Sequence, residues 1–166
     1  MKATTRIGYF SAIAVGLAMP LTLSAQAQGK NPLVGTWQLV SATNTDDKGV
    51  SKVGTFGPNP LGRVIYTESG HYVTVNTAPD LPRFENRLKA TPADYEGVVK
   101  KSTASFGTYK VAPDGKSVTI KQEAGTFAIR NGTEEVRELA VKGDEMRFWT
   151  KATYGGRSEL VYKRVK

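Results

Sequence analysis

The side chains in this sequence best equipped for chemistry are one arginine and a group of tyrosines. In Val136-Arg137-Glu138-Leu139-Ala140-Val141 a period of two puts Arg137 on the same face as Leu139 and Val141. A guanidinium among aliphatic side chains needs a counter-charge, an aromatic plane or a bound anion, because burying it alone is costly. The same alternation groups Tyr109 with Val111, Tyr162 with Leu160 and Arg164, Tyr66 with Val64, and Tyr72 with Thr74 and Asn76. Arg137, Tyr109, Tyr162, Tyr66, Tyr72 and Asn76 are therefore the candidate ligand-binding residues. Hydrogen bonding around one fixed positive charge suits a small hydrophobic or amphipathic molecule with an acidic or carbonyl end. A purely internal use of Arg137 is equally open: a salt bridge to Glu135 or to the strand of Glu159, or an outward orientation through a bulge. On the 61–77 hairpin the pattern is too mixed to choose the inner face.

Other chemistries find no residues to carry them. The one histidine, His71, follows Gly70 in a hairpin and reads as a solvated turn residue. There is no cysteine, no clustered acidic ligand pattern and no Gly-x-Ser-x-Gly elbow, so no catalytic residue, metal or cofactor is assigned. Gly115-Lys116-Ser117 imitates the end of a phosphate loop, but its first glycine is replaced by Lys110 and a strand follows; it is a turn.

The elements that must position these residues are mostly strands. Val34 to Ser41 opens the folded part, with Gly35 letting the chain turn in beneath the sheet and Trp37 broad enough to plug the narrow end of a barrel. A turn-rich segment and an irregular one, rich in Gly and Pro, lead to Leu61. Arg63–Thr67 and Tyr72–Asn76 flank a tight turn with Gly70 at positive φ. Thr91, Pro92 and Asp94 are a hydroxyl N-cap, a Pro at N1 and an acid at N3, which predicts one short helix over about 92–103. Hairpins follow: 106–111 with 117–122 through Pro113-Asp114-Gly115, 132–141 with 145–151 through Gly143-Asp144, then Arg157 to Val165. The segment 127–130 stays unassigned.

These make an all-β chain of about eight strands, nearly all joined to antiparallel neighbours. First and last strands are long and apolar on one face, and pairing them protects both edges, which closes an up-and-down barrel. Arg164 would then lie beside Trp37 and cover the indole in a cation–π contact. Gly35, Trp37 and Arg164 are thus structural candidates.

Lys2 and Arg6, the apolar run Ile7–Leu23 and Ala25-Gln26-Ala27 have the form of a secretory signal peptide over 1–27, leaving 28–166 as one barrel domain. The expected location is periplasmic or secreted, with no membrane span after cleavage. The net charge of +8 is spread along the chain with no basic–aromatic interleaving, which argues against nucleic acid.

Four stretches, taken in order, resemble the lipocalin-like domain family. They are Leu33-Val34-Gly35-Thr36-Trp37-Gln38-Leu39-Val40-Ser41, Gly62-x-Val64-x-Tyr66-Thr67-x-x-Gly70, Phe106-Gly107-Thr108-Tyr109-x-Val111 and Val136-Arg137-x-Leu139-x-Val141-x-Gly143-Asp144. The resemblance covers almost all of residues 28–166 and implies a calycin-type barrel with a small-molecule binding role. Where family members often carry a histidine pair, this chain has Ile120-Lys121, so histidine-dependent chemistry is not implied. Two other functions fit the same residues: a cofactor-free isomerase, cyclase or hydrolase acting inside the barrel, and an envelope interaction module with a filled core.

Overall fold

The computed structural model describes residues 31–152 and 155–166; the expected signal segment lies outside them. Nine strands and one α-helix are present: β1 Gly35–Thr45, β2 Ser51–Val53, β3 Leu61–Tyr66, β4 His71–Thr77, α1 Pro92–Lys101, β5 Ser102–Val111, β6 Ser117–Gly125, β7 Glu134–Lys142, β8 Glu145–Lys151 and β9 Arg157–Arg164. Strands β3 to β9 follow one another as antiparallel neighbours, and β1 lies between β3 and β9. The closing seam runs from Trp37 opposite Arg164 to Thr45 opposite Arg157, with a bulge between Leu39 and Ser41. The result is a closed eight-stranded antiparallel barrel.

The ninth strand, β2, was not expected. It is three exposed residues paired to the far end of β1, where β1 has already parted from β3. Such a strand carries no apolar alternation, so nothing in its sequence marks it. Other boundaries also move. Strand β1 runs on to Thr45, and β5 begins at Ser102, directly after a helix that ends at Lys101. The segment 128–130 is a single 3₁₀ turn.

The turns obey local chemistry. Gly70, Gly115 and Gly143 close three tight hairpins at positive φ. Thr91 caps α1 in a complete capping box with Asp94, and no residue of this helix is buried.

The cross-strand register assigns every inward side chain, because paired residues share a face. Trp37, Val64, Tyr66, Val118, Leu139, Met146 and Phe148 belong to one buried cluster, which Leu33 and Phe56 join from the flanking segments. The two ends of the barrel differ. At one end the hairpins are tight and Leu33, Trp37, Val118 and Met146 are inaccessible to solvent, so this end is a packed floor. The segments 46–60, 78–101 and 126–133 all lie at the other end, the mouth.

Candidate functional site

The floor is built around Trp37. Its Nε1 donates to the Leu33 carbonyl at 2.7 Å, and the Arg164 guanidinium carbon stands 4.0 Å from the ring centroid. Arg164 also ties down the chain before β1, donating from Nη1 to the Val34 carbonyl and from Nη2 to the Pro32 carbonyl, both at 2.8 Å. Gly35 sits at φ +127°, and a Cβ there would come within 2.8 Å of Arg164 Nη1. All three expected structural residues therefore act together.

Tyr109 belongs to this floor. Its hydroxyl donates to the Thr67 carbonyl at 2.8 Å and accepts from Asn31 Nδ2 at 3.0 Å. Those bonds occupy it at the floor, so the ligand contact expected of Tyr109 is replaced by a structural tie. Its strand faces inward as expected, but alternation fixes a face and not the end to which a long side chain points.

Above the floor the expected residues come together. The Tyr66 ring meets Tyr109 edge-on at 4.7 Å and lies 6.4 Å from both Tyr72 and Phe148. From across the barrel, Asn76 Nδ2 donates to Tyr162 Oη at 3.2 Å and reaches Thr74 Oγ1 at 3.5 Å. A Cβ on Gly62 would fall 2.3 Å from Asn76 Oδ1, so this glycine makes room for the amide. Tyr72 Oη shares a 3.4 Å hydrogen bond with Ser105 Oγ. The hairpin whose faces were undecided thus turns Val64, Tyr66, Tyr72, Thr74 and Asn76 inward.

Arg137 points into the barrel with Leu139 and Val141 and takes the internal salt bridge. Its Nε and Nη2 donate to Glu135 Oε2 at 3.1 and 2.8 Å, while Thr150 Oγ1 donates to Glu135 Oε1. Burial works to raise the Glu135 pKa, but the Arg137 charge and the hydrogen bonds from Thr150 and Arg137 outweigh it, leaving the carboxyl below its ordinary value. Glu135 is therefore an acceptor at neutral pH and not a base poised to take a proton. Burial also raises the phenol pKa values of Tyr66 and Tyr162, so both stay protonated as donors.

Two donors in this group are not used up. Every fully buried side-chain nitrogen or oxygen among the described residues has a hydrogen-bond partner. Tyr66 Oη has no hydrogen-bond partner among the described residues, although Tyr66 is only 3% exposed. Arg137 Nη1 is likewise without a partner there, and 28% of the Arg137 side chain remains accessible although it stands between nearly buried tyrosines. The barrel is packed with apolar side chains below this level, and its inward side chains turn polar above it.

Sequence reasoning missed the polar walls of that upper space. Register places Asn44, Ser105, Thr150 and Ser158 on the inner face, with Thr150 bonded to Glu135. Hydroxyl residues on strands look alike whichever way they point, so only the register reveals them. His71 lies exposed at the floor-end turn, with Nδ1 3.1 Å from Ser69 Oγ.

A closed antiparallel barrel, sealed at one end by a Gly-x-Trp strand and retaining polar groups above that seal, defines the lipocalin-type class of proteins. The family model described as "Lipocalin-like domain" matches residues 34–162, and the chain belongs to that family. Among curated proteins there is no match. Of solved structures, the chain is similar to a lipocalin-like protein from Bacteroides uniformis, at 12% identity over 81% of this chain and 99% of that one, with a TM-score of 0.45. It is also similar to an uncharacterized protein from Bacteroides eggerthii, at 14% identity over 80% of this chain and 99% of that one, with a TM-score of 0.41. A redesigned beta barrel has 11% identity over 81% of this chain and 93% of that one, with a TM-score of 0.41. No helix among the described residues is long and apolar enough to cross a membrane.

Proposed function

We propose that this protein, exported after removal of residues 1–27, binds a small molecule in the upper half of the barrel, its acidic or carbonyl head against Arg137 and Tyr66. The observation that carries this reading is the Tyr66 hydroxyl beside the Nη1 edge of Arg137, both without a hydrogen-bond partner among the described residues in a nearly buried wall. Both donors can meet the same acceptor, a carboxylate or carbonyl oxygen. The lowered pKa of Glu135 favours binding over proton transfer. The packed floor limits the ligand to the upper half, so the site takes a short molecule held head-down. The test is native mass spectrometry of freshly purified protein, followed by denaturing extraction and titration of the emptied protein with the recovered compound. A copurifying acid or carbonyl compound whose affinity falls about tenfold in Tyr66→Phe is the expected result, the loss being that of one hydrogen bond to a charged partner. Recovery of no small molecule, together with no binding of any short carboxylate, would overturn the proposal.

A further inference from the structure

We infer that the ligand is a small polyhydroxylated carboxylic acid of the sugar-acid kind, and not an alkyl acid. The inference rests on the binding reading above and adds the chemistry of the walls.

Around the space over Tyr66 and Arg137, the inward side chains toward the mouth are mainly hydroxyls, amides and one carboxylate. Ser158 Oγ donates to Asn44 Oδ1 at 2.6 Å, and Asn44 Nδ2 is left without a partner among the described residues. Thr150 donates to Glu135, which is 39% exposed; Oε2 is taken by two Arg137 donors, while Oε1 accepts only from Thr150 and keeps one lone pair. Ser105 sits against Tyr72 at 3.4 Å. Donors and acceptors are therefore interleaved on the inner faces of β7, β8, β9 and β1, with Ser105 and Tyr72 on β5 and β4 on the other side of the barrel. Leu160 and Ala42, paired on the seam, supply an apolar strip among them.

An alkyl chain laid against those groups would strip solvent from them without replacing its hydrogen bonds, leaving buried polar groups unsatisfied. A hydroxylated acid meets them in kind. Its carboxylate accepts from Arg137 Nη1 and Tyr66 Oη. Its hydroxyls donate to Glu135 and Ser158 and accept from Asn44 Nδ2, and its C–H face lies on Leu160 and Ala42. Carboxylate at the base and hydroxyls above is the order in which the donors and acceptors are arranged.

The experiment is isothermal titration of the ligand-stripped mature chain with D-gluconate, D-galacturonate, octanoate and D-glucose. Octanoate supplies the acid without hydroxyls, and glucose the hydroxyls without the acid. The expected result is binding of at least one sugar acid about tenfold or more tighter than octanoate and glucose. Thr150→Val and Ser158→Ala should each weaken the sugar acid several-fold and leave octanoate unchanged. Octanoate binding as tightly as the sugar acids would overturn the inference and leave the acid-head reading standing. Glucose binding as tightly as gluconate, with no loss in Tyr66→Phe, would overturn the acid-head reading itself. Binding of neither sugar acid at millimolar concentration would also overturn the inference. Thr150→Val and Tyr66→Phe are near-isosteric, and their circular dichroism and unfolding midpoints report whether a loss of binding reflects the site or the fold.

Discussion

Tyr66 and Tyr162 both point into the same barrel with Phe148 in contact with each, each 3% exposed, yet their hydroxyls have opposite standing. Tyr162 Oη is held by Asn76, whereas Tyr66 Oη has no partner among the described residues. Removing the first leaves a buried amide short of a bond, and Tyr162→Phe should cost about 1 kcal/mol in urea unfolding. Removing the second loses nothing in the ligand-free protein, so Tyr66→Phe should lie within about 0.5 kcal/mol of wild type or be more stable. A cost equal to that of Tyr162→Phe would mean that Tyr66 has an internal role. Glu135 gives a pH counterpart. Its folded-state pKa lies below the ordinary glutamate value, so its pairing contributes fully above about pH 5 and is lost as pH falls through the folded value. Between pH 6 and pH 3 the thermal midpoint should drop less steeply in Glu135→Gln than in wild type.

At the scale of elements, β5 and β6 are the informative pair, because β6 carries an extra residue, Glu123, opposite the step from Phe106 to Gly107, and this bulge bends β6 around the barrel. A Cβ on Gly107 would sit 2.0 Å from the Lys121 carbonyl oxygen and 2.8 Å from Glu123 N. Gly107→Ala should therefore destabilise by about 1–3 kcal/mol, with amide exchange rising first along β5 and β6. Undisturbed exchange there would show that the bulge yields freely. The Phe-Gly-Thr-Tyr motif was readable in sequence for this reason: the glycine is demanded by a backbone oxygen and not by taste in composition. Trp37, Arg164 and the closing seam were readable too, since long one-faced edge strands have few other ways to be covered. What could not be read depended on register or on side-chain direction. Tyr109 reaches down to Thr67, β2 is three exposed residues, and the hydroxyls of Ser105, Thr150 and Ser158 follow the same alternation whether they face solvent or lumen. The helix was placed one turn's fraction too long because Ser102, an acceptable helix residue, already pairs with Thr77 in the sheet.

For the whole molecule, a barrel with one packed end and one polar end needs its packed end to hold the strands together without help from any ligand. The seam between β1 and β9 begins at Trp37 opposite Arg164, and the arginine spans indole, the Val34 and Pro32 carbonyls and, at 3.7 Å, Asp144. An ion over an indole is worth more where water is excluded, rising from about 0.5–1 kcal/mol at exposed sites to about 2 when desolvated. The protein contains its own control, for Arg157 lies over Trp149 at 4.9 Å on the outer wall. A double-mutant cycle with Trp37→Phe and Arg164→Lys should give a coupling of about 1–2 kcal/mol, because lysine keeps the charge but loses the planar overlap and the paired carbonyl bonds. The same cycle on Trp149 and Arg157 should give no more than about 0.5 kcal/mol, since half of the Arg157 side chain is solvated and already shared with Glu138. Urea unfolding of the seven proteins measures both couplings. Equal couplings would show that Arg164 acts at the floor as a surface cation does, and that closure rests on the strand pairing alone.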